Sequence, residues 1–285
     1  MNAAETAATS TSERPASVVH AELTRLTEQK ATGRLRIGDQ GAIFLSEGAV
    51  AFAESTRTTS LEALLTATGK VDVRTWRRAR SDGAPPHVAL LDEGRLTLAE
   101  FETFVVLSVF DAAYALLTSS HAPAFVPEPA HWLTSVWRTP ADLLVRETEL
   151  RRARLDAVWP SPEADEAPVM PVRRMRRQRV ILTGLQAEVL LNADDRRTPA
   201  ELARDLGRTR YGCLLAVRGL AASGLLKTPP VPRSTTRSRR RAAAPTTRHT
   251  TGDQQPQEGS PGAALWTGID EGLLVRLHDG LRDLV

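Results

Sequence analysis

Apolar residues along this chain change their spacing several times, and each change marks an element. Residues 1–16 are polar and predict disorder. From Val18 to Gln29 the apolar positions recur at helical spacing. ATGRLRI and then GAIFLSEGAVAFAES alternate or cluster as short antiparallel strands do, with Glu47-Gly48 at a hairpin turn. SLEALLTATG (60–69) reads as a helix ending at Gly69, and VDVRTW (71–76) as a further strand. The stretch 96–119 is apolar on most faces, which predicts a core helix. Thr139-Pro140 opens another helix in which Leu143, Leu150 and Ala157 fall seven apart, a stripe that suits packing on the domain or on a second copy.

The segment from Thr198 to Leu226 has the sharpest pattern. Thr198 and Pro199 make an N-cap and first-turn pair, Leu202, Ala203 and Leu206 form a stripe, and Gly207 follows the last periodic residue. A new helix then opens at Arg208, Thr209, Arg210 and Tyr211, with Leu214, Val217, Leu220 and Ala221 as its apolar face. Two short helices across a glycine turn predict a helix-turn-helix. In that motif the start of the second helix meets base edges in the major groove, so Arg208, Thr209, Arg210 and Tyr211 are the expected base contacts.

These elements define an α+β chain: a small antiparallel sheet with helices, then a mainly α winged-helix-like unit. The expected divisions are 1–16 disordered, 17–158 a signalling or interaction domain, 159–178 a linker with a basic run, 179–228 the helix-turn-helix unit, 229–262 a disordered basic and polar linker, and 263–285 an amphipathic helix. At 285 residues and 41% hydrophobic content, two small domains and tails fit.

Charge sharpens this division. Residues 1–172 carry 17 Lys+Arg against 23 Asp+Glu, residues 173–250 carry 18 against 5, and residues 251–285 carry 2 against 6. Only the middle zone attracts a polyanion. RRMRRQR (173–179) supplies Arg173, Arg174, Arg176, Arg177 and Arg179 to DNA phosphates, to a cyclic dinucleotide or other phosphate effector, or to solvent as a linker. Arg218 and Lys227, together with Arg239, Arg240 and Arg241 of the RSTTRSRRR arm (233–241), complete the expected backbone contacts.

Other chemistry is sparse. The six histidines, at 20, 87, 121, 131, 249 and 278, form no HxH or HExxH pair, so no metal is expected. ATGKV (67–71) lacks the first glycine of a phosphate loop, and Ser46 lacks the glycine of a nucleophile elbow. Paired acids such as Asp92-Glu93 and Asp194-Asp195 suit caps and loops. No enzyme and no cofactor are expected. The single cysteine, Cys213, excludes an internal disulfide; a buried structural role and a redox-sensing role are both open. No signal peptide and no apolar run of spanning length occur, which predicts a cytoplasmic protein without a membrane partner.

Two resemblances follow from these residues. The order TGRLRI, GAIFLSEGAVAFAES, SLEALL, GKVDVRTW and a long helix resembles the PATAN-type domain of bacterial regulatory proteins over about residues 18–155. Its carriers are Gly33, Leu35 and Ile37, then Ile43, Phe44, Gly48, Val50 and Ala53, then Leu61, Ala63, Leu64 and Leu65. That resemblance implies signalling and protein contacts rather than catalysis. Residues 179–228 resemble the winged helix of MarR-type regulators, with LTGLQAEVLLNA (182–193), LARDLG and VRGLAASGLLK as matching phrases. Thr228-Pro229-Pro230-Val231-Pro232 departs from the pattern, because prolines cannot donate to a two-stranded wing; the basic arm is expected to replace it.

In the terminal stretch, Trp266, Ile269, Leu273, Leu277 and Leu281 fall at helical spacing with acids opposite, marking a helix that binds a partner, completes a dimer or docks on its own chain. Taken together, the pattern implies a homodimeric bacterial regulator that binds double-stranded DNA. The alternative is a signalling adaptor that recruits a response regulator or small GTPase without touching DNA.

Overall fold

A computed structural model describes residues 18–81, 85–172 and 180–227. It opens with α1 (Val18–Glu28), which buries Val19, Leu23 and Leu26. Three strands follow, β1 (Gly33–Ile37), β2 (Gly41–Ser46) and β3 (Ala49–Ser55). Glu47 and Gly48 join β2 to β3 with φ of 51° and 81°, the left-handed pair that matches the twist of a tight hairpin.

The helices α2 (Leu61–Ala67), α3 (Val73–Ser81), α4 (Pro86–Asp92) and α5 (Leu98–Leu117) come next. Residues 71–76, expected as a strand, instead lead into α3. Asp72 turns the chain there, accepting hydrogen bonds at 2.8 Å from the Thr75 N–H and at 3.1 Å from its hydroxyl. A capping box starts α5: Thr97 Oγ1 accepts from the Glu100 N–H, and the Glu100 carboxylate accepts from the Thr97 N–H. Glu100 also pairs with Lys70.

After α5 the chain returns to the sheet as β4 (Pro123–Pro127), giving the antiparallel order β3-β2-β1-β4. The sequence reading omits this strand, since its terminal prolines break the pattern; prolines are tolerated because β4 is an edge. A 3-10 turn (Trp132–Ser135) precedes α6 (Ala141–Val158). The buried face of α6 is Ala141, Leu144, Thr148 and Leu155, while Leu150 of the expected stripe is 49% exposed. The core of this first unit lies between the sheet, α1, α2 and α5, with Leu35, Ile43, Leu65 and Phe101 fully enclosed.

A short α7 (Glu163–Glu166) leads to α8 (Gly184–Asn192), α9 (Pro199–Leu206) and α10 (Arg210–Ala222). Capping boxes at Thr183/Gln186 and Thr198/Glu201 start α8 and α9. Val189, Leu202, Ala203, Cys213 and Leu220 form a second core. The chain is therefore mixed α+β, as its periodicities imply. Where a wing would begin, residues after α10 pair with an upstream segment instead: the Lys227 N–H donates to Met170 O at 2.8 Å and the Val172 N–H to Leu225 O at 2.9 Å. No described helix is long and apolar enough to cross a membrane.

Candidate nucleic-acid interface

Gly207 closes α9 at φ 61°, ψ 35°, and Thr209 caps α10 by accepting the Gly212 N–H at 3.2 Å. The expected helix-turn-helix connection is thus built from αL glycine and an N-cap threonine two residues on. One side of its turn packs on the first unit. A Cβ placed on Gly207 would lie 2.1 Å from the Cβ of Ala67 on α2, so only glycine lets the two segments approach. The Thr59 hydroxyl donates to the Arg208 carbonyl at 2.6 Å, a second tie between the turn and the first unit.

The start of α10 is held more firmly still. Asp111 on α5 accepts hydrogen bonds at 2.7 Å from the Arg210 N–H and at 2.7 Å from the Tyr211 N–H, one to each carboxylate oxygen. With the Gly212 N–H on Thr209, the first three N–H groups of α10 are all satisfied internally. A helix N-terminus is an anion site, and here a side chain of the same protein fills it. Burial pushes the Asp111 carboxyl above the ordinary aspartate range, opposed by those two N–H groups and by the charges of Arg151 and Arg210.

Aromatic packing surrounds this clamp. Tyr211 meets Tyr114 edge-on at 5.8 Å, and the Arg151 guanidinium lies 4.6 Å from the Tyr211 ring centre. Leu155 and Leu214 are buried in the same cluster, which joins α5, α6 and α10. Glu166 of α7 bridges the units, pairing with Arg57 at 2.5 Å and Arg210 at 2.9 Å.

The expected base contacts therefore have different fates. Arg208 is exposed and pairs with Glu188 at 3.0 Å, so its guanidinium stands at the surface. Thr209 is spent on capping. Arg210, expected to point outward, is instead 5% exposed, and Tyr211 packs on the first unit. Arg218, expected on the DNA backbone, is 3% exposed: its guanidinium pairs with Asp165 at 2.7 and 2.8 Å and with Asp156 at 3.1 Å, and it donates to Trp159 O at 2.8 Å. Those acids are sequence-distant, which hides the pairing from a reading along the chain. Lys227 is exposed. Arg173, Arg174, Arg176, Arg177, Arg179, Arg239, Arg240 and Arg241 lie outside the described residues, as does the terminal stretch with Trp266, Ile269, Leu273, Leu277 and Leu281.

Asp111 escaped the sequence reading, although it left a signal. It is one acid in the interior of a twenty-residue apolar helix, where an unpaired carboxylate is costly. Cys213 is buried in the second core, and burial pushes its thiol up to about 12, which favours the structural role over the redox one. Among the described residues, no cluster of His, Cys, Asp and Glu has the geometry to hold a metal ion. No family model, curated protein or solved structure matches this chain.

Proposed function

We propose that this chain is a DNA-binding transcriptional regulator of the cytoplasm, held in a latent form by its own first unit. The observation that carries this reading is the pair of short helices α9 and α10 across Gly207, with the N-terminus of α10 filled by Asp111. The basic zone around it, 18 Lys+Arg against 5 Asp+Glu over residues 173–250, supplies the phosphate attraction. In the open form Arg208 to Tyr211 reach base edges, and the five arginines of 173–179 and the 239–241 arm track the backbone. One short helix reads too few base pairs for useful selectivity, so the working form is a homodimer on two half-sites. The first unit, whose sequence resembles a PATAN-type domain, receives the signal that releases α10.

The test is selection from the protein's own genomic fragments across a salt series, with Ala67→Leu, which loosens the turn before α10, beside the same variant carrying Arg208→Ala. Retention of a few fragments at physiological salt by the loosened variant, lost on adding Arg208→Ala, supports the reading. Binding by the loosened variant that is absent, or purely salt-sensitive and unchanged by Arg208→Ala, favours the adaptor. That second reading rests on the internal pairing of Arg210 and Arg218, which spends both guanidiniums inside the fold rather than on nucleic acid.

A further inference from the structure

A cavity of about 410 Å³ opens in the first unit between the end of β3, the start of α2, α3 and the 3-10 turn. Four ring side chains, Phe52, Trp76, His131 and Trp132, line it among mostly polar neighbours, with Ser108 of α5 beside them. His131 stacks on Phe52, the rings 5.1 Å apart and 12° from parallel. The Leu133 N–H donates to His131 Nδ1 at 3.3 Å, which places the proton of the neutral ring on Nε2. Burial pushes the His131 imidazole down to about 4, so that ring is uncharged at neutral pH. The Trp76 indole N–H is buried with no acceptor. Ring faces and an unmet donor in a cleft lined otherwise by polar side chains offer a ligand both apolar and polar contacts.

Charge distinguishes the classes of occupant. Glu54, Glu62 and Arg80 also line the cavity, and none has an ion-pair partner within 4 Å among the described residues. A simple anion meets two carboxylates there, and a simple cation meets a guanidinium. A molecule carrying both charges on a flat apolar body satisfies all three. We propose that this cavity binds a small aromatic zwitterion, of which an aromatic α-amino acid is the simplest case. Arg80 takes its carboxylate, Glu54 and Glu62 take its ammonium group, and its ring packs along the wall that His131 forms with Phe52 and Trp132.

The position of the cavity gives this site its interest. Thr59 is part of the wall, and the hydroxyl of that residue is the one that holds the Arg208 carbonyl. An occupant thus lies against a contact that secures the turn before α10. Binding itself does not depend on the DNA reading, and it is measured without DNA.

The experiment uses the full chain and its intrinsic tryptophan fluorescence, to which Trp76 and Trp132 contribute from the cavity wall. L-phenylalanine, which is silent under selective tryptophan excitation, is titrated beside 2-phenylethylamine, 3-phenylpropanoate and L-alanine. The expected result is saturation by phenylalanine, binding about tenfold weaker for each singly charged analogue, and no response to alanine. Arg80→Gln, on an exposed face of α3, is expected to reduce phenylalanine to the level of phenylethylamine and leave phenylethylamine unchanged. No saturable response to millimolar phenylalanine, equal affinity for the three aromatic probes, or an Arg80→Gln variant that binds phenylalanine like wild type overturns the proposal.

Discussion

Asp111 accepts the backbone N–H of Arg210 at 2.7 Å across 99 positions of sequence. With the matching bond from Tyr211, this carboxylate does to α10 what a phosphate does at a helix N-terminus. The interaction joins a helix of the first unit to the second helix of the helix-turn-helix. One residue thereby couples the packing of the α+β core to the start of α10.

Removing that carboxylate should be costly. Asp111→Ala leaves two N–H groups buried without acceptors and is expected to lower stability by about 2–4 kcal/mol in urea unfolding. Asp111→Asn retains one acceptor oxygen and should fall between the variant and wild type. Wild-type stability in Asp111→Ala would mean that water or another side chain replaces the cap.

Gly207 offers a cleaner probe, because two separate costs meet there. Gly207→Ala carries a penalty of roughly 1 kcal/mol for its left-handed backbone. It also drives a methyl group into Ala67 of the first unit. Ala67→Gly should therefore rescue part of the loss in a double-mutant cycle, leaving the backbone share behind. Strict additivity would show that the turn does not rest on α2 in solution.

Much of this arrangement is legible along the chain and some is not. The hairpin at Glu47-Gly48, the apolar α5 and the Thr198-Pro199 and Gly207 boundaries of α9 are local signals, written within a few residues of where they act. Val71 and Val73 alternate like a strand, yet the Asp72 side chain bonding Thr75 turns that stretch into a helix start. β4 is recognisable only from its pairing with β1, because Pro123 and Pro127 suppress any strand pattern. The docking of α10 lies further beyond sequence reading: Arg210 and Arg218 look like solvent-facing cations until Glu166, Asp165 and Asp156 arrive from other elements.

Acid should weaken the first unit through His131. Its imidazole is held near 4 in the folded protein against an ordinary value of 6.5, so the unfolded chain takes up the proton first as pH falls. This contribution is complete above pH 6.5 and declines toward pH 4; burial lowers His87 in the same sense. Unfolding midpoints measured between pH 6.5 and 5, above most carboxylate titration, are expected to fall with pH, and His131→Phe to flatten the slope. An unchanged slope in that variant would remove His131 as the cause.

Cys213 should behave as an inert core thiol. Buried and pushed up to about 12, it is expected to react with an alkylating reagent far more slowly in the folded protein than in urea. Equal rates in both would show that the second core opens readily.

The most direct test of a latent helix-turn-helix is to loosen the docking and measure DNA binding. Ala67→Leu enlarges the side chain facing Gly207 without altering charge, and it is compared with wild type on genomic fragments across a salt series. Tighter, fragment-selective binding by Ala67→Leu, abolished by adding Arg208→Ala, is the expected result. Equal or absent selectivity in a folded Ala67→Leu variant would contradict a DNA-reading helix held closed by the first unit.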